Sequence, residues 1–249
     1  MSSDNISFLT RVADAVSLAK DRCTDKYIGF LDEKNMAECM AALKTARHTN
    51  YAFFGGYDGA ERVMLGVFSD YTSPEDAQWP IEAITISSRP SAELTHRDYL
   101  GSLMSLGIKR ETVGDILCEK SRAVIFVSDK LAEHICLQLT KVGGEGVSVK
   151  LGFDAPLPIA HSFAELSDTV ASMRLDCVVA SLCSVSRSKA EELISSSLVS
   201  VGGLVQQKHD YIVKAGNIIS VRGKGRFIID ESPGTSKKGR IILKSRKYL

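Results

Sequence analysis

The chain has 249 residues, 44% of them hydrophobic, with 31 Lys and Arg against 30 Asp and Glu, a composition that fits a globular protein of two or three small domains. No apolar run nears the roughly 20 residues that span a bilayer. The opening MSSDNISFLTRVADAV lacks the basic start and continuous apolar core of a secretion signal, so the expected location is the cytoplasm, with no membrane partner. Cys23, Cys39, Cys118, Cys136, Cys177 and Cys183 form no C-x-x-C pair; they are read as small hydrophobes in a reducing compartment, with no metal and no cofactor. The near-neutral total hides an asymmetry. From Arg174 onward there are 14 Lys and Arg against 6 Asp and Glu, net +8, which leaves −7 for the first 173 residues. A basic tail on an acidic body points to an acidic partner such as nucleic acid.

The predicted elements describe an α+β protein of three small domains. In residues 1–78, DNISFLTRVADAVSLAKDR repeats apolar residues at helical spacing, DEKNMAECMAALKTA gives a second helix, and YAFFGGYDGAERVMLGVFSDY reads as two strands around a Gly-Asp-Gly turn. The polar, proline-bounded YTSPEDAQWP marks a boundary. Residues 79–165 follow as IEAITIS, HRDYLGSLMSLGI, DILCE, RAVIFVS, DKLAEHICLQLTKV and GVSVKL, the β-α-β-β-α-β order of ferredoxin-like and RNA-recognition domains. A Pro-containing stretch and a polar-apolar piece then lead to residues 172–249. There RLDCVVASL and SKAEELISSSL are two short helices, with Ser188 and Glu191 read as a capping box on the second. Gly202-Gly203 turns a hairpin in LVSVGGLVQ, and IVKAGNIISVRGKGRFIID and KKGRIILKSRKYL are strands.

Strand alternation places Arg222, Lys224 and Arg226 on one face of VRGKGRF, and Arg240, Lys244 and Arg246 on one face of the last strand. Two such strands would build a cationic sheet face, with Gly223 and Gly225 admitting a phosphodiester backbone. Arg174 opens the first helix of the pair. Ser186, Arg187, Ser188 and Lys189 combine charge, hydroxyls and the free N–H groups of a helix start, a combination suited to phosphate. Lys237 and Lys238 complete the expected RNA-contact set.

These residues carry a family likeness. RLDCVVASLCSVSRSKAEELISSSLVSVGGLV followed by GNIISVRGKGRF resembles the S-four RNA-binding domain, with Ser197, Gly202 and Asn217 departing from that domain's usual glycine, asparagine and aspartate. FFGGYDGAER, HRDYLGSLMSLGIKRETVGDI and KKGRI extend the resemblance over essentially the whole chain to the bacterial YlmH family. The resemblance implies a non-enzymatic protein that binds ribosomal RNA and tRNA on large ribosomal subunits carrying stalled peptidyl-tRNA, in ribosome-associated quality control, with a less direct link to cell division. It implies no small-molecule substrate.

Competing signals are weaker. A pseudouridine synthase would use an aspartate after Arg-Leu, as Asp176 stands here, but CVVASL continues as a helix without the expected Thr-Ser-Gly turn, so Asp176 reads as a first-turn residue facing the dipole. GGYDG and VGGEG lack the Lys-Ser/Thr of a phosphate loop and read as turns. His48, His96, His134, His161 and His209 have no metal-ligand spacing. In the middle domain Phe126 is the one aromatic in the strand where RNA-recognition motifs stack bases, while His96, Arg97, Lys109 and Arg110 offer charge.

Overall fold

The computed structural model describes residues 3–159 and 162–249; His161 lies outside them. Helix α1 (Ser3–Arg22) buries Val12, Ala15, Val16 and Ala19, one stripe at helical spacing. Strand β1 (Lys26–Leu31) follows, an element the sequence pattern did not suggest. Helix α2 (Glu33–Thr45) starts where the Asp32 carboxylate accepts from the Asn35 N–H at 2.8 Å. Strands β2 (Tyr51–Phe54) and β3 (Val63–Val67) complete an antiparallel sheet ordered β1-β3-β2. Every residue of β3 is buried, because helices cover one face through Leu65 and Val67 while Met64 faces a second core. That two-sided burial is why the strand reads as an unbroken apolar run.

The ferredoxin-like order is present as β4 (Ile81–Ser87), α3 (His96–Ser105), β5 (Val113–Glu119), β6 (Arg122–Ser128), α4 (Asp129–Gln138), the small pair β7 (Lys141–Val142) and β8 (Glu145–Gly146), and β9 (Ser148–Leu151). The sheet runs β5-β6-β4-β9, with every neighbour antiparallel. Ile84, Ile86, Ile116, Ile125 and Val127 meet Tyr99 and Leu103 of α3 and Ala132 and Ile135 of α4. The opposite face, with Ala83, Leu117, Val124 and Phe126, is buried against Phe30, Met64, Tyr57 and Trp79.

That second core packs the segments expected as domains at 1–78 and 79–165 against each other within one compact unit. Contacts divide the chain into two compact units, Met1–Ala160 and His161–Leu249. GGYDGAER docks the first sheet onto the second. Tyr57 stacks on Phe126 at 4.9 Å, and the Asp115 carboxylate accepts from the Tyr57 hydroxyl and from the Glu61 and Arg62 N–H groups. The half-buried Arg62 guanidinium donates to the carbonyls of Phe30 and Val113. Gly56 has φ +100°, and a Cβ there would lie 2.3 Å from Cδ1 of Phe126, so close docking requires glycine.

The second unit begins earlier than expected. Strand β10 (Phe163–Val170) pairs along its whole length with β15 (Ile241–Tyr248), so a boundary at 165 cuts through it. Between them come α5 (Leu175–Leu182), α6 (Arg187–Ser195), β11 (Val199–Val201), β12 (Leu204–Val205), β13 (Ile218–Val221) and β14 (Gly225–Ile229), in an antiparallel sheet ordered β10-β15-β14-β13-β11-β12. Leu175, Val178 and Val179 of α5 and Ala190 and Ile194 of α6 pack on Val199, Ile219, Phe227 and Leu243 of the sheet. Both helices stop in the same way. Val185 N–H bonds the Ala180 carbonyl with Ser184 at φ 51°, and Leu198 N–H bonds the Leu193 carbonyl with Ser197 at φ 58°. These are Schellman endings with serine where glycine is usual.

Candidate RNA interface

The helix pair is organised around a buried carboxylate. Asp176 is fully buried, and both flanking arginines reach it: Arg174 Nη2 at 2.9 Å and Arg187 Nη2 at 2.7 Å, with the Cys177 N–H at 2.8 Å. Burial alone would raise its pKa, but the two guanidiniums and the Cys177 donors hold it well below the ordinary carboxylate range. Arg174 and Arg187 are therefore tied first to Asp176, and Arg187 also faces Glu191 at 3.4 Å. The cap is Ser186, whose hydroxyl oxygen accepts from the Lys189 N–H at 3.2 Å; Ser188 lies inside the first turn, so the Ser188–Glu191 capping box is not formed. Ser186, Ser188 and Lys189 are exposed, and Lys189 Nζ meets Glu192 at 2.7 Å.

VRGKGRF is not one strand. Val221 pairs with Gly225 across a turn made by Arg222, Gly223 and Lys224, with Gly223 at φ +76° and Gly225 at φ +129°. The two glycines that suggested close approach in a strand instead permit the reversal. Arg222, Lys224 and Arg226 consequently do not share a face. Arg222 and Lys224 are exposed at the tip, whereas Arg226 lies on the sheet face away from the helices. By register Arg226, Lys244 and Arg246 share that outer face, where Arg226 stands 4.7 Å from the Tyr248 ring centroid and Arg246 stands 5.2 Å from that of Phe163 and pairs with Asp230 at 2.9 Å. Lys224 goes the other way, with Lys247, a residue outside the expected contact set. The ammonium groups of both lie near enough to the Cys183 thiol to oppose the rise in its pKa that burial causes. Cys183 caps the C-terminal end of α5, so both lysines act electrostatically on that helix end. Phe227 beneath Lys247 supports it at 5.8 Å.

Arg240 precedes β15 and donates to the hydroxyl and carbonyl of Thr169; Lys237 and Lys238 are exposed in the turn before it. In the first unit, Phe126 is buried, so the sheet face that stacks bases in RNA-recognition motifs is covered. Arg110 is also inward: it donates to the carbonyls of Val113 and Gly114, and burial together with the nearby Arg62 cation lowers its pKa to about 10. Arg97 and Lys109 are exposed.

A helix pair on an antiparallel sheet, with cations gathered at the turn and hairpin tip, defines an RNA-binding protein of the S4 class, and residues 173–219 match the S4 domain. Residues 74–152 match the family described as "Putative RNA-binding domain in YlmH". Over 237 residues, 94% of this chain and 92% of the relative, the sequence is 32% identical to "Ribosome-associated protein quality control protein P2" of Bacillus subtilis (strain 168). The chain belongs to the YlmH family. Its fold is also that of the "Cell division protein ylmH from Streptococcus pneumoniae", at a TM-score of 0.52 and 21% identity over 61% of this chain and 93% of that one.

Proposed function

We propose that the protein docks through its second unit on structured RNA of the large ribosomal subunit, next to the tRNA of a stalled peptidyl-tRNA, and acts there by binding without chemical turnover. The observation that carries this reading is that Lys224 and Lys247 both act on Cys183 at the end of α5, three residues before the exposed α6 cap at Ser186, Ser188 and Lys189, since cations near oriented N–H donors suit phosphate. Arg174 and Arg187 brace the pair through Asp176 and present their outer edges; Arg222, Lys237, Lys238 and Lys244 add attraction around it. The quality-control role named for the Bacillus subtilis relative supports the ribosomal setting. Asp176, buried beneath two arginines, has no path to a substrate base, which weighs against a synthase.

Co-sedimentation with purified large subunits over a salt series tests the reading. Lys224→Ala with Lys247→Ala should flatten the log-log salt slope by about 1.8, two contacts at about 0.9 each. An unchanged slope would move the interface elsewhere. Mass spectrometry of ribosomal RNA and tRNA after incubation should show no new modification, and a modification lost in Asp176→Asn would restore the enzyme reading.

A further inference from the structure

The second unit contains a cleft of about 540 Å³ between the end of β10, helix α5 and the α5–α6 turn. Its floor is apolar, from Val170, Ala180 and Val185, and its rim is polar, from Arg187, Arg240, Asp168 and Ser181. Volume, apolar lining and a few fixed polar groups are the marks of a small-ligand site, which typically spans about 300–1,000 Å³. We propose that the cleft receives one nucleotide turned out of the bound RNA, its base on the apolar floor and its phosphate on Arg240. This inference rests on the RNA-binding reading above and names a second contact for it.

Three observations select a nucleotide. Arg240 is held through Nε and Nη2 by the hydroxyl and carbonyl of Thr169, both neutral, and among the described residues no carboxylate forms an ion pair with it. Its charge is thus fixed in direction and, although the Asp168 carboxylate on the same rim feels it, is not spent in an ion pair, which leaves the guanidinium able to take a phosphate partner. Asp168 is oriented by the Ser181 hydroxyl and the Thr169 N–H, and its oxygens retain acceptor capacity, so the ligand edge facing it must carry N–H donors, as base edges do. Ser184 and Val185 line the cleft directly before the Ser186 cap, so a strand with a phosphate at that cap passes the cleft mouth. One side of the cleft lies outside the S4 match at 173–219: Asp168, Thr169 and Val170 precede the match and Arg240 follows it, while Cys177, Ala180 and Val185 lie within it. Splayed bases are the usual targets of sequence-specific RNA recognition.

The full-length protein and transcribed large-subunit ribosomal RNA provide the test. Cys177 lines the cleft and Cys23 is exposed on the other unit, so alkylation of each, read by mass spectrometry, reports local coverage. RNA should slow alkylation of Cys177 several-fold while leaving Cys23 unchanged. Ala180→Leu fills the floor and leaves every cation in place; it should weaken binding about tenfold at an unchanged salt slope. Arg240→Gln should lower the slope by about 0.7 to 0.9, one phosphate contact. If bound RNA leaves Cys177 as reactive as before, or if Ala180→Leu binds as wild type, the cleft is empty in the complex and the proposal is wrong. Protection of Cys177 by polyglutamate but not by RNA would overturn it in favour of an acidic peptide. Failure of the wild-type protein to bind RNA in a salt-dependent way would instead remove the underlying reading.

Discussion

Replacing Asp176 by Asn tests whether the charge cluster of the helix pair is a brace rather than a contact surface. The substitution keeps size and burial but leaves Arg174 and Arg187 converging on a neutral amide. Four donor contacts from the two guanidiniums, at 2.7 to 3.2 Å, lose their ionic partner. Breaking a fully buried pair costs about 3–5 kcal/mol, but these arginine side chains keep 38% and 56% exposure and can rehydrate, which places the loss at about 2–3 kcal/mol. The two units complicate a global melt, and the single tryptophan, Trp79, reports only the first. Hydrogen exchange of peptides from α5 and α6 isolates the second, where amides that exchange through unfolding of that unit should speed up about 30- to 160-fold. Because the native carboxyl titrates below its unfolded value of about 3.9, its contribution is fully present above that pH and is lost as pH falls through the native value. The wild-type advantage should therefore be constant from pH 5 to 8 and shrink only in acid. A loss under about 0.5 kcal/mol, the level of an ordinary surface change, would refute the brace.

Arg187→Ala should destabilise the second unit by the same mechanism, whereas Lys189→Ala should leave α6 exchange unchanged and lower the RNA salt slope by about 0.9. Ser197→Gly should stabilise the second unit by about 0.5–1 kcal/mol, since glycine removes the left-handed penalty at φ 58° while giving up the exposed hydrogen bond from Gln207. Slower α6 exchange checks it. Gly56→Ala should destabilise the first unit by about 2–4 kcal/mol, through its collision with Phe126 and its positive φ, and lower the urea midpoint of Trp79 fluorescence without altering α5 exchange.

Patterns carried by local periodicity were legible without coordinates. The stripes of α1, α5 and α6, the β-α-β-β-α-β order and the Gly202-Gly203 hairpin all follow from side-chain spacing within about ten residues, and the helix-pair motif with its charge asymmetry marked the RNA-binding unit. Strand β10 escaped because it is an edge strand whose FAELSDTV buries only Val170, so no alternation announces it. The placement of cations escaped for a related reason. Parity along VRGKGRF holds only if the chain stays extended, and the turn at Gly223 lifts Lys224 out of that parity while Arg226 stays in the strand on the outer sheet face. Likewise Arg174, Arg187 and Asp176 are visible as charges in the sequence, but only the packing of α5 against α6 turns two apparent phosphate ligands into the partners of one buried carboxylate. Composition and spacing determine which residues are available, while long-range pairing decides which of them neutralise one another and which remain for a ligand, because Coulombic and hydrogen-bond energies depend on distances that separation along the chain does not set.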